Sequence, residues 1–190
     1  TPATNATSPS IRSTCETEYP TELRLMSSQF PELDFRPGLF LMTMRQENDD
    51  RQWATQVQFQ NMPNSSSVCR LELVLPSNSM LRIFGVSPVM NVYRVARAPS
   101  SNATWNTFSF APNNKSQTTV FGSVNGAADA IFEVRQNGGV VVVGEEPCSE
   151  TMTFQMGMAA PGQGYANYWD FLQVNPPAVP VQGWRVVHSC

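Results

Sequence analysis

Residues 53–59 read WATQVQF. In an extended chain Trp53, Thr55, Val57 and Phe59 fall on one side and Ala54, Gln56 and Gln58 on the other, the period of two expected of a half-buried strand. The same alternation returns at Cys69, Leu71, Leu73 and Leu75 against Arg70, Glu72 and Val74, and at Met152, Phe154, Met156 and Met158 against Thr151, Thr153 and Gln155. Further short apolar runs predict strands at Leu39–Met44, Met80–Phe84, Val89–Val95, Thr118–Val124, Ile131–Val134, Gly139–Val143, Tyr168–Val174 and Gly183–His188. Turn residues separate them: Pro63-Asn64, Pro76-Ser77-Asn78, Pro112-Asn113-Asn114, Asn125-Gly126 and Pro161-Gly162 among others. Asn137-Gly138, between two apolar runs, reads as a tight hairpin. No helical stripe of a dozen residues is visible. About eleven short strands make an antiparallel, jelly-roll-like β-sandwich the expected all-β fold, with a barrel as the alternative.

Composition narrows the function classes. The chain has 190 residues, 41% hydrophobic and 14% charged, with 12 Lys plus Arg against 15 Asp plus Glu. That length suits one domain, expected over residues 15–190 behind a mobile leader at 1–14. Eleven of the twelve basic residues are Arg, scattered singly without a basic stripe, which disfavours nucleic acid. No apolar run approaches the ~20 residues that a spanning helix needs. One His builds no multi-His metal centre, and no cofactor is expected.

The four Cys stand far apart at 15, 69, 148 and 190, without a C-x-x-C. Together with sequons at Asn5, Asn64, Asn102 and Asn114, all in turn-like stretches, they predict two disulfides and a secreted, extracellular glycoprotein. Three pairings are possible, and spacing alone does not choose among them. Strand logic favours Cys69 with Cys148, because each borders an apolar strand, which leaves Cys15 and Cys190 to staple the ends.

Several segments form a recognisable series: VQFQNMPNSSSVCRLELVLP, VMNVYRVA, ATWNTFSFAP and TVFGSV. The particular marks are Phe59, the C-x-L-x-L of Cys69 to Leu73, Asn91-Val92-Tyr93, Thr104-Trp105, and Cys148 ahead of Met152–Met158. Tyr19-Pro20-Thr21 and the region from Trp169 to Val187 fit as well. The series resembles the secreted fungal But-type C-terminal domain family, named after a yeast binder of a ubiquitin-like modifier. It is more loosely similar to DNRLRE-type carbohydrate-associated β-sandwich modules. The first resemblance covers most of residues 19–188. It implies a β-sandwich, a Cys69–Cys148 pairing, and a fungal extracellular or cell-wall location. Its motifs are packing motifs and imply no catalytic residue. The modifier in its name is not an expected partner, since a disulfide-bonded extracellular chain would rarely meet an intracellular protein.

Several residues could carry chemistry. His188 is the only imidazole base, but it lies at a strand end and no G-x-S-x-G elbow accompanies it. Carboxylate pairs for glycoside hydrolysis could be drawn from Glu145, Glu146, Glu150, Asp170 or Asp34, and nothing selects one pair. Asn48-Asp49-Asp50 offers oxygen ligands of the kind calcium takes, though it reads more simply as a charged loop, and no metal site is assigned. Aromatic residues give the most plausible binding surface, because Trp and Tyr faces pack on sugar rings. In GQGYANYWD the alternation sends Trp169 and Phe171 inward and Tyr168 and Asp170 outward, so Tyr165, Tyr168 and Asp170 are the expected ligand contacts. Trp169 and Trp105 are expected to be structural. The leading expectation is a non-catalytic secreted protein that binds cell-wall glycan. The alternatives are a carboxylate hydrolase of extracellular polysaccharide and an effector or antigen that binds an extracellular protein.

Overall fold

The computed structural model describes residues 14–63, 67–108 and 119–190. The sequons at Asn5, Asn64 and Asn114 and nearly all of the expected leader lie outside those residues. Among the described residues, twelve strands form two antiparallel sheets curled into a half-barrel. The strands are β1 (Glu16–Glu18), β2 (Glu22–Ser27), β3 (Phe40–Arg45), β4 (Gln52–Gln60), β5 (Val68–Val74), β6 (Leu81–Phe84), β7 (Val89–Val95), β8 (Val120–Asn125), β9 (Val140–Pro147), β10 (Thr151–Met158), β11 (Asn167–Leu172) and β12 (Gly183–His188). The smaller sheet runs β1-β12-β5-β9. The larger runs β6-β11-β3-β4-β10-β7-β8, with β2 attached to β4. Gln58 pairs with both Thr153 and Glu22, so β4 carries β10 on one edge and β2 on the other. Side chains from both sheets meet in one core: Leu71, Leu73, Trp184 and Val186 from the smaller, and Val57, Phe59, Phe154, Trp169 and Phe171 from the larger.

Ten of the expected strands are present, and the β-sandwich reading holds. Ile131–Val134 is not a strand. It lies in a helix, α2 (Ala128–Gln136), whose Ile131 and Val134, three apart, pack on the core while Phe132 faces solvent. At nine residues this helix is too short to display a long stripe. Asn137-Gly138 is correspondingly a helix end and not a hairpin. The Gly139 N–H reaches back to the Val134 carbonyl at 2.9 Å, and Gly138 takes φ +98°, a left-handed helix cap that a Cβ would strain. β1 and β2, which no alternation announced, complete the set of twelve.

Both disulfides form in the favoured pairing. Cys69–Cys148 fastens β5 to the turn where the chain leaves β9 for β10, and so passes from the smaller sheet to the larger. Cys15–Cys190 joins the residue before β1 to a residue just after its partner β12.

The expected half-buried strand at 53–59 is buried on both faces from Ala54 to Phe59. A segment after β7, ending in the short helix α1 (Trp105–Phe108), covers the Gln face. The amides bond one another and the covering segment: Gln56 Nε2 donates to Gln155 at 2.8 Å, Gln155 Nε2 to the Phe108 carbonyl at 2.8 Å, and Gln58 Nε2 to Thr153 and the Arg97 carbonyl, while Gln56 Oε1 has no partner among the described residues. Charges complete the layer. Arg97, its side chain fully buried, pairs with Glu22, and Arg24 bridges Glu22 and Asp34. Asp34 in turn accepts the Ala103 N–H at 3.0 Å, which pins the covering segment to the sheet. This pairing offsets most of the cost of burying the layer, in which the Arg97 Nε is also left without a partner among the described residues.

Candidate functional site

The three strands β6, β11 and β3 present one face to the core and one outward. Ile83, Trp169, Leu41 and Phe171 point in. On the outer face the register sets side chains directly beside one another, as antiparallel pairing requires. Phe84, Tyr168 and Met44 form one row, Arg82, Asp170 and Met42 the next, and Leu172 and Phe40 a third. The sequence alternation thus places Tyr168 and Asp170 together outside and Trp169 inside, where its indole N–H donates to the Pro88 carbonyl at 2.7 Å.

The rows carry a specific chemistry. The rings of Phe84 and Tyr168 stack with centroids 4.4 Å apart and planes within 6° of parallel, and Phe84 is 51% exposed. Arg82 grips the Asp170 carboxylate with both Nε, at 2.8 Å, and an Nη nitrogen, and the Tyr168 hydroxyl donates to the same carboxylate. Asp170 is only 3% exposed, closed over by these partners. Burial, and then the adjoining Asp170 carboxylate, push the Tyr168 phenol up to about 12, so it stays a neutral donor. Asp170 likewise raises the Arg82 pKa.

Tyr165 stands apart, in the loop before β11. It is 84% exposed and, among the described residues, makes no hydrogen bond or ring contact to Tyr168 or Asp170. Its neighbour Asn167 is fully buried and holds the loop together. Its amide donates to the Ala160 and Pro161 carbonyls, and its oxygen accepts the Ser87 N–H. Gly85 must be glycine here, since at φ +117° a Cβ would lie 2.2 Å from that Asn167 oxygen. Arg82 and Phe84 did not emerge from the sequence, because they lie more than 80 residues from Asp170 and only the β6–β11 register unites them. The available signal was the outward Arg82 and Phe84 of LRIF, alternating with Leu81 and Ile83.

The other candidates are engaged structurally. His188 is buried, its Nδ1 hydrogen-bonded to Ser189 at 2.8 Å and its ring between Glu16 and Glu18. Each acid proposed for hydrolysis, apart from the exposed Glu150, faces an arginine: Glu145 Arg70, Glu146 Arg94, Asp170 Arg82 and Asp34 Arg24. In the Asn48-Asp49-Asp50 turn the Arg45 guanidinium takes both Asp49 oxygens and lowers that carboxyl's pKa, burial opposing. Among the described residues no three His, Cys, Asp or Glu gather to hold an ion, and no helix is long and apolar enough to cross a membrane. Asn102 is the one sequon in the described residues. It is exposed, and the hydroxyl of its Thr104 accepts the Thr107 N–H at 3.3 Å within the first turn of α1.

Compared with known proteins, the chain matches no family model and no curated protein.

Proposed function

We propose that the protein is a secreted, non-catalytic fungal extracellular or cell-wall-associated protein that binds glycan through the outer face of β6, β11 and β3. The observation that carries this reading is the half-exposed Phe84 ring stacked on Tyr168 beside the Arg82–Asp170 pair. Aromatic faces supply CH–π contact to sugar rings, and a neighbouring charged pair supplies donors and acceptors for hydroxyls. Tyr165, in the adjoining loop, exposes a further aromatic ring. Two disulfides are compatible with an oxidising compartment, and the exposed Asn102 sequon suits a glycoprotein. The resemblance to the But-type family favours the fungal, cell-wall setting.

The hydrolase reading is weaker, because the acids it draws on, apart from Glu150, face arginines. A protein partner is the stronger rival, since Phe84, Leu172 and Phe40 together expose apolar surface on one face. Pull-down on chitin, β-glucan and mannan separates the readings. Retention on at least one is expected, and retention on none removes the glycan function.

A further inference from the structure

The outer face of β6-β11-β3 is a grid whose rows alternate in character along β11. Phe84 and Tyr168 form an aromatic row, Arg82 and Asp170 a charged row, and Leu172 and Phe40 an aliphatic–aromatic row. Rows lie two residues apart, so the first and third are separated by ~13 Å, and the three strands make a platform ~10 Å wide. The third row is open, with Leu172 47% exposed. The charged row carries no net charge: one guanidinium faces one carboxylate, and both carboxylate oxygens are already bonded. The exposed remainder of Arg82 is left to meet a ligand as a hydrogen-bond donor.

This pattern constrains the ligand. A polyanion would find a cation that Asp170 already neutralises, and a purely apolar partner would have to cover an ion pair across the middle of its footprint, at a desolvation cost. An extended sugar chain has neither difficulty, because it offers apolar ring faces and hydroxyl edges side by side. Building on the glycan reading above, we infer that the platform takes a neutral, extended, unbranched hexose polymer laid along β11. One ring packs on the exposed part of Phe84, whose other face Tyr168 covers, the next meets Arg82 through its hydroxyls, and a third packs on Leu172 and Phe40, about three rings over the ~13 Å available.

The test is titration with neutral gluco- and chito-oligosaccharides of increasing length, beside oligo-uronates, at low and high salt. Affinity is expected to climb to the trimer and then level off, to change less than about twofold between low and high salt, and to be weaker for uronates. Phe84→Ala should weaken every length by about tenfold. Leu172→Ala should leave the dimer unchanged and reduce the trimer to the dimer's affinity. Both side chains are exposed, so the variants should melt as wild type does, which a thermal scan verifies. Preference for uronates with steep salt dependence, or a plateau at one ring, overturns the inference while leaving glycan binding intact. Binding of no sugar at all overturns the glycan reading beneath it, and with it the inference.

Discussion

Removing Asp34 tests the buried layer outside the larger sheet. In Asp34→Ala the Ala103 N–H, within a fully buried residue, loses its acceptor. Arg24 loses both contacts to the carboxylate, at 2.8 and 2.9 Å, and keeps only Glu22. An orphaned buried N–H costs ~1–3 kcal/mol and a charge-assisted bond contributes ~1.5–3 kcal/mol, part of which Glu22 recovers, so the expected destabilisation is about 3 kcal/mol. For a chain of this size that lowers Tm by about 6–12 °C. Asp34→Asn, which keeps an acceptor for Ala103, should lose about half as much. Urea denaturation at pH 7 provides the measurement, with a shifted midpoint and an unchanged slope. The effect also has a pH signature. Burial acts to raise the Asp34 pKa, but the Ala103 N–H and then Arg24 outweigh it and hold the group below its ordinary 3.8. A carboxyl lowered by folding contributes stability above the unfolded pKa and loses it as pH falls through the folded value. The gap between wild type and Asp34→Ala should therefore be constant at neutral pH and shrink below about pH 4. A variant within ~0.5 kcal/mol of wild type at pH 7, like an ordinary surface change, would refute the reasoning. So would a gap that persists undiminished to pH 2.

Three further outcomes are expected. Replacing Cys69 and Cys148 together by Ala releases a closure spanning 79 residues and should cost about 4 kcal/mol in chemical denaturation, whereas an effect below 1 kcal/mol would contradict it. Gly126→Ala places a Cβ 2.7 Å from the Trp169 indole and 2.6 Å from the Pro88 carbonyl, so a loss of ~1–3 kcal/mol and a shifted tryptophan emission should follow; an unchanged spectrum would show that the indole is not clamped there. In ultraviolet titration Tyr168 should ionise late, near 12, and Tyr168→Phe should remove that late phase; a late phase that survives the substitution would contradict the assignment.

The fold was legible where one face of a strand alternates with the other, as at Cys69–Leu75 and Met152–Met158. It was not legible at β1 and β2, whose Glu16–Glu18 and ELRLMS lack a clean period. β2 instead hides Arg24 in an ion-pair layer that only tertiary contacts create. Gln56 and Gln58 misled in the same way: amides look solvent-facing, and here a distant segment with α1 covers them. In the candidate site, the outward direction of Tyr168 and Asp170 followed from the strand period. Their partners Phe84 and Arg82 did not, because register between distant strands is set by packing and leaves no local mark.

Retention of wild type, Phe84→Ala and Phe132→Ala on chitin, β-glucan and mannan tests the central claim most directly. Phe132 is an exposed aromatic on α2, outside the platform, so it controls for indiscriminate stickiness. Glycan binding at β6-β11-β3 predicts that wild type and Phe132→Ala are retained alike while Phe84→Ala elutes early. Equal retention of all three, or of none, would contradict it.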